Sequence, residues 1–266
     1  MTEATVALGG LGIGILGTLI GAGGGFLIVP LLVLFEPSWS TDQITACSLA
    51  VVTANASMGA LSYWWQGRVD PFTFPLYTLA AVPGSILGAY AIAYVPRPIF
   101  DPVFGVLLIL IGAWLFWKPG GSEAGGYTGY YERTLVDRSG TRYEWSFDPR
   151  IGFGGSVLVG FASSIFGIGG GIIHVPLLAT VLGFPAHVAT ATSHAVLAVT
   201  AGIATIVHVI HGDYRVTWPI VLAAAAGAVV GAPIGARVSR YVRGAVILRV
   251  LATALAFVGV RLLFLR

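Results

Sequence analysis

Two triplets of adjacent glycines, Gly23-Gly24-Gly25 and Gly169-Gly170-Gly171, stand in the middle of long apolar runs. Three glycines in a row are poor helix, each costing about 1 kcal/mol relative to alanine. What they offer is a backbone free to turn and open to close approach. A helix restarting after each triplet would present unpaired N–H groups and about half a positive charge at its N-terminus. Two such ends facing each other near mid-membrane would hold an anion through backbone amides. Polar side chains from the helices that follow complete the expected cage: Ser48, Thr53 and Asn55 after the first triplet, and Thr192, Ser193, His194 and Thr200 after the second. His174, just inside the second restarting helix, stands where the first copy has Ile28, so the two half-sites differ chemically.

The same residues argue against other chemistries. No Asp or Glu is expected inside a membrane segment, whereas a cation pathway or acid-based proton relay usually shows one. The histidines (His174, His187, His194, His208 and His211) all fall in the second half of the chain. Imidazole clusters can bind transition metals, which keeps a transition-metal cation transporter as the alternative reading. No carboxylate or thiol is expected to support them, and His187, His208 and His211 fall near helix ends. His174 and His194 are better placed to meet substrate or a coupled proton. Ser193 and His194 are sequence neighbours, about 100° apart on a helix and poorly disposed to hydrogen-bond each other. An enzyme is therefore not expected, nor a cofactor or a resident metal.

The elements that must position these groups repeat. Residues 21–32 and 167–178 are identical at eight of twelve aligned positions. Downstream, Ser193 aligns with Ser48 and Gly212 with Gly67, while Gly227, Gly231 and Gly235 echo Ala80, Gly84 and Gly88, a small-residue packing face. The expected fold is an all-α polytopic membrane protein of two homologous halves, 1–117 and 151–266. Each half has about four hydrophobic segments, and its first segment is broken at the glycines. In the first half these are a broken run over about 5–35 and helices over about 43–65, 72–95 and 100–117. Ser40, Thr41 or Asp42 is available to cap the second element, and Tyr63, Trp64 and Trp65 read as an interfacial belt. Residues 118–150 form a hydrophilic connector. Its start (Gly120, Gly121, Gly125, Gly126) reads as linker, and 130–136 and 141–147 read as a β-hairpin around Asp137-Arg138-Ser139-Gly140. The second half repeats the plan, with a broken run over about 151–182 and a polar helix over about 187–209.

Composition fixes the class. The chain is 56% hydrophobic and 9% charged, with a mean hydropathy of +0.88, against about 25% charged residues in a soluble domain. The formal net charge of +3 reports membrane orientation, since most arginines fall in loops, and no nucleic-acid partner is expected. If each broken segment crosses fully, the arginines divide indecisively between the two sides. If each re-enters on its own side, the halves are inverted. Arg68, Lys118, the connector arginines and Arg237, Arg240 and Arg243 then share one face, leaving Arg97 and Arg215 on the other. The re-entrant arrangement obeys the positive-inside rule better. Both readings put the connector in the cytoplasm.

Paired G-x-G-G-G-x-x-x-V-P segments, each followed by a polar Ser/Thr-bearing helix, resemble the TauE/SafE family of membrane transporter proteins. The resemblance covers about 5–117 and 151–265. It implies movement of small sulfur-containing anions, such as sulfite or organosulfonates, across the cytoplasmic membrane by a multi-pass secondary transporter. The implied partners are a small anion and the lipid bilayer, and a homodimer is compatible with the family. On position alone, the residues expected to hold substrate are Gly23, Gly24, Gly25, Ser48, Asn55, Gly169, Gly170, Gly171, His174, Ser193 and His194.

Overall fold

Both long apolar runs break at their glycines. The computed structural model describes residues 3–117, 129, 131–214 and 217–264; the glycine-rich start of the connector, Lys118, Tyr130 and Arg215 lie outside them. The first run divides into α1 (Glu3–Leu19) and α2 (Gly25–Phe35). α3 (Thr41–Trp65), α4 (Thr73–Ala91, ending in a 3-10 turn over Ile92–Tyr94) and α5 (Arg97–Trp117) follow. β1 (Tyr131–Val136) and β2 (Arg142–Phe147) precede α6 (Pro149–Ile165). The second run continues as α7 (Gly171–Pro176), which passes into a π-helical turn over Leu177–Val181. α8 (Ala186–His211), α9 (Trp218–Val238) and α10 (Gly244–Phe264) complete the fold.

The helix starts have local causes. Ser40 caps α3 in a capping box with Gln43. α5 begins at Arg97, ahead of the expected 100, because prolines such as Pro98 are tolerated in a first turn, where the N–H has no partner to lose. α6 begins at Pro149 with Asp148 as its cap. Among the described residues, six helices (α3, α4, α5, α8, α9 and α10) are long and apolar enough to cross a bilayer. The protein is a multi-pass integral membrane protein.

Packing pairs the helices crosswise. α1 lies along α9 in the same direction, with Ala7 against Gly227, Leu11 against Gly231 and Ile15 against Gly235. α4 and α6 pair likewise, Gly84 meeting Val157 and Gly88 meeting Phe161. Without side chains at these points the backbones approach closely, the main way apolar helices associate where no hydrophobic drive separates them from lipid. α3 and α8 cross antiparallel in the buried centre: Thr53 Oγ1 sits 3.0 Å from Thr205 Oγ1, and Gly59 abuts His194. α5 and α10 are also antiparallel, Gly105 lying on Gly259 and Gly112 on Ala252.

The hairpin is docked, not free-standing. Trp145 and Phe147 pack on Phe184, ahead of α8, and Tyr131 stacks on Phe72, ahead of α4. Arg68 reaches Asp137 at 3.5 Å, and Arg133 reaches Asp70 at 2.6 Å. Two expectations fail, one at each end of the bundle. Trp64 and Trp65 are exposed as a belt requires, but Tyr63 is fully buried, its hydroxyl donating to the carbonyl of Thr18 at 2.7 Å. His208 is buried, with Asp213 Oδ2 2.6 Å from its Nδ1, so a carboxylate does support one histidine.

Candidate functional site

The two glycine loops share one hydrogen-bonded shape. The carbonyl of Gly17 accepts from the amides of Ala22 (2.8 Å) and Gly23 (3.1 Å), as that of Ser163 does from Ile168 (3.0 Å) and Gly169 (3.3 Å). Gly24 and Gly170, the residues capping α2 and α7, have φ of 86° and 94°, which L side chains rarely adopt. The triplets are thus required by the turn itself.

The loops cross in contact with each other. Gly25 lies on Gly167 and Ile168, and Gly171 on Gly21 and Ala22. Gly23 and Gly169 both abut Val52 of α3 and Leu197 of α8, and each loop lies over a residue of the far polar helix: Gly21 on Thr190, Gly167 on Thr45. The helix starts therefore meet without a gap between them.

Polar side chains from α3 and α8 surround the crossing in two groups. Around the first loop, Asn55 Nδ2 donates to the carbonyl of Gly23 (3.0 Å), and its Oδ1 accepts from Thr18 Oγ1 (3.0 Å). His194 Nε2 lies 3.4 Å from the same hydroxyl, with the Tyr63 ring edge-on at 5.9 Å. Around the second loop, Ser48 Oγ donates to the carbonyl of Gly167 at 2.6 Å. His174 Nε2 lies 3.1 Å from Ser156 Oγ, with the Tyr77 ring edge-on at 5.9 Å. A hydroxyl chain runs from Ser164 to Ser85 (3.1 Å) and on to the carbonyl of Thr200 (2.8 Å).

Thr45, Thr190 and Ser193 keep unbonded hydroxyls here, and of these Ser193 faces open space. It is fully buried, and its Oγ has no hydrogen-bond partner among the described residues. It lines a small cavity of about 10 Å³ beside Ser163, Gly169, Gly170 and His174, room for about one water.

The structure gathers all eleven expected residues at or beside the crossing, but divides their work. Ser48 and Asn55 spend their hydrogen bonds on the loop carbonyls. Neighbours on α8, Ser193 and His194 face the second and first groups respectively, as their 100° offset requires. Thr192 leaves the site, accepting from the amide of Asp70 at 2.9 Å, and Thr53 pairs with Thr205. Sequence reasoning missed Thr18, Tyr63, Tyr77, Ser156 and Ser163. The spacing of Ser156 and Ser163, seven apart and so on one helix face, was the available signal. The histidines do not gather; among the described residues no three His, Cys, Asp or Glu side chains could hold a metal ion.

Among the described residues, six apolar helices around two broken, glycine-capped segments define a polytopic membrane protein. The chain belongs to the sulfite exporter TauE/SafE family, whose pattern matches residues 6–262. It is 30% identical to the probable membrane transporter protein YunE of Bacillus subtilis over 261 residues, 96% of this chain and 95% of that one. Probable membrane transporter proteins of Methanocaldococcus jannaschii (27% identity; 71% of this chain, 66% of that one) and Xylella fastidiosa (26%; 87% and 82%) are also similar. No solved structure matches.

Proposed function

We propose that the protein is a secondary transporter of small sulfur-containing anions, sulfite or organosulfonates, which pass where the two glycine loops cross. The observation that carries this reading is the crossing itself. Turned backbone, hydroxyls, an amide and two imidazoles converge there, and among the described residues no carboxylate lines the adjacent cavity. Such groups bind a negative guest through hydrogen bonds while leaving it free to depart. The adjacent cavity holds about one water, so loading requires the loops to part from α3 and α8. Gly23, Gly24, Gly25, Gly169, Gly170 and Gly171 supply backbone, Ser48 and Asn55 hold the loops in shape, and Ser193, His174 and His194 supply donors.

The same reading makes residues 1–117 and 151–266 inverted repeats, each with a re-entrant first segment. Supporting this, α3 runs against α8 and α5 against α10, although each pair is equivalent in sequence. Five residues join α2 to α3, and α1 runs parallel to α9, whose start packs on Ala46 and Cys47 near the start of α3, so α1 and α2 enter and leave on one face. The hairpin end carries Arg68, Arg138, Arg237, Arg240 and Arg243, and the other end Arg97 and Arg261, a split that supports a cytoplasmic hairpin under the positive-inside rule; the proposed location is the cytoplasmic membrane.

Vesicle flux tests the reading. Proteoliposomes should take up labelled sulfite or sulfoacetate saturably, and Gly170→Leu should abolish uptake while still inserting. No anion flux, but saturable nickel or zinc flux, would replace the proposal with a metal transporter.

A further inference from the structure

The hairpin face holds a second constellation that the crossing does not use. Between α3 and α9 lies a cavity of about 320 Å³, lined by the buried Arg68 and the exposed Arg138, Arg237 and Arg240. A second cavity of about 430 Å³ adjoins it through Arg68, Ser139 and Arg240. Asp137 is the one carboxylate in either lining, against four guanidinium groups in the first. Its oxygens are already engaged: Oδ1 accepts from the amides of Ser139 (2.8 Å) and Thr141 (3.0 Å), and Oδ2 faces Arg68. Among the described residues, Arg138, Arg237 and Arg240 have no ion-pair partner. Ordinary positive-inside arginines need only water. Here the chain instead leaves the membrane plan to build a wall, placing Asp137, Arg138 and Ser139 against the α3 end. It also buries a guanidinium between Asp137 and Ser239 (3.4 Å).

We infer that this cavity is an oxyanion-binding vestibule, the cytoplasmic mouth through which the transported anion meets the protein. The inference rests on the anion-transport reading and assigns the hairpin its part in it. A sulfite or sulfonate group offers three oxygens, which guanidinium forks bind in pairs. A cleft lined by one sign of charge between low-dielectric walls concentrates the opposite ion. The lining also leads inward. Met58 and Ser62 extend it along α3, and Gly59, next to Met58, abuts His194. Met58 and Gly59 face about 100° apart on α3, so the mouth and the Thr18–Asn55–His194 group lie on adjacent faces of one helix.

A phospholipid headgroup carries the same oxyanion chemistry, so the test separates the two sources. Binding of sulfite to the purified protein is followed by calorimetry, and sulfite flux is measured in vesicles with and without phosphatidylglycerol. The double variant Arg237→Gln/Arg240→Gln, both exposed positions, should weaken sulfite binding and raise the flux KM about tenfold in either lipid. Arg243→Gln, on the same face but outside the lining, should change neither. Unchanged binding and KM in the double variant would overturn the vestibule, as would a KM effect confined to vesicles containing phosphatidylglycerol, which would assign the arginines to lipid. Wild-type binding that the double variant weakens, without flux, would sink the transport reading and the role of this cavity as a mouth, and leave it standing as an oxyanion-binding site alone.

Discussion

Ser48 and Ser193 occupy equivalent places on α3 and α8, yet only one is bonded. Ser48 Oγ holds the carbonyl of Gly167, while Ser193 Oγ faces the small cavity. Removing the first donor leaves a buried carbonyl unsatisfied, which costs about 1–3 kcal/mol. Ser48→Ala should therefore lower the unfolding temperature in detergent, whereas Ser193→Ala should leave it nearly unchanged and weaken sulfite binding instead. Equal effects on stability would show that both hydroxyls are merely structural. Gly23 makes a similar point. A Cβ there would lie 2.5 Å from Leu197 at a φ of +70°, so Gly23→Ala should slow flux several-fold and lower stability by about 1–3 kcal/mol, read by thermal unfolding. At this scale the glycines were readable from sequence, because adjacent glycines in an apolar run have few explanations. Thr18 and Tyr63 were not. Nothing in a threonine near the end of α1, or a tyrosine beside two belt tryptophans, announces that one will donate its hydroxyl to the other's carbonyl.

The hairpin element depends on Asp137. Burial alone would raise its pKa, but hydrogen bonds from Ser139 and Thr141, with Arg68 beside it, outweigh that and hold it below the ordinary value of 3.8. A carboxyl depressed on folding stabilises the fold above its ordinary pKa, and that contribution is lost as pH falls through the folded value. The hairpin should stay docked from neutral pH down to about 4 and loosen below, read as acrylamide access to a sole Trp145. Loosening at pH 6 would contradict this assignment. Asp137→Ala strands a buried guanidinium and should cost about 3 kcal/mol at neutral pH, seen as protease cleavage within the connector. The turn residues Asp137 to Gly140 revealed the strands in sequence. Their docking was hidden, because it depends on Asp70 and Phe72 in the α3–α4 loop and Phe184 just ahead of α8, far apart in sequence and set between apolar helices.

For the whole molecule, the paired motifs pointed to a duplication, and the break at each, expected from helix length, is present. The proposed opposite direction of the halves was open, since arginine counts only lean one way; contacts such as Ala7 on Gly227 and Gly59 on His194 support it, and no local pattern encodes them. In the inverted arrangement Ser139→Cys and Asp213→Cys, in a Cys47→Ala background, should label from opposite faces of the membrane, because α6 and α7 re-enter and only α8 crosses between them. Labelling from the same face would remove the inverted arrangement. The central claim is narrower: an anion is held at the loop crossing. Selenite, a heavier analogue of sulfite, can be located by the anomalous signal of selenium in crystals of the protein. The account predicts a selenium peak within hydrogen-bonding reach of the Gly169–Gly171 backbone and Ser193. A peak confined to the arginine-lined mouth, or to the lipid-facing surface, would contradict it.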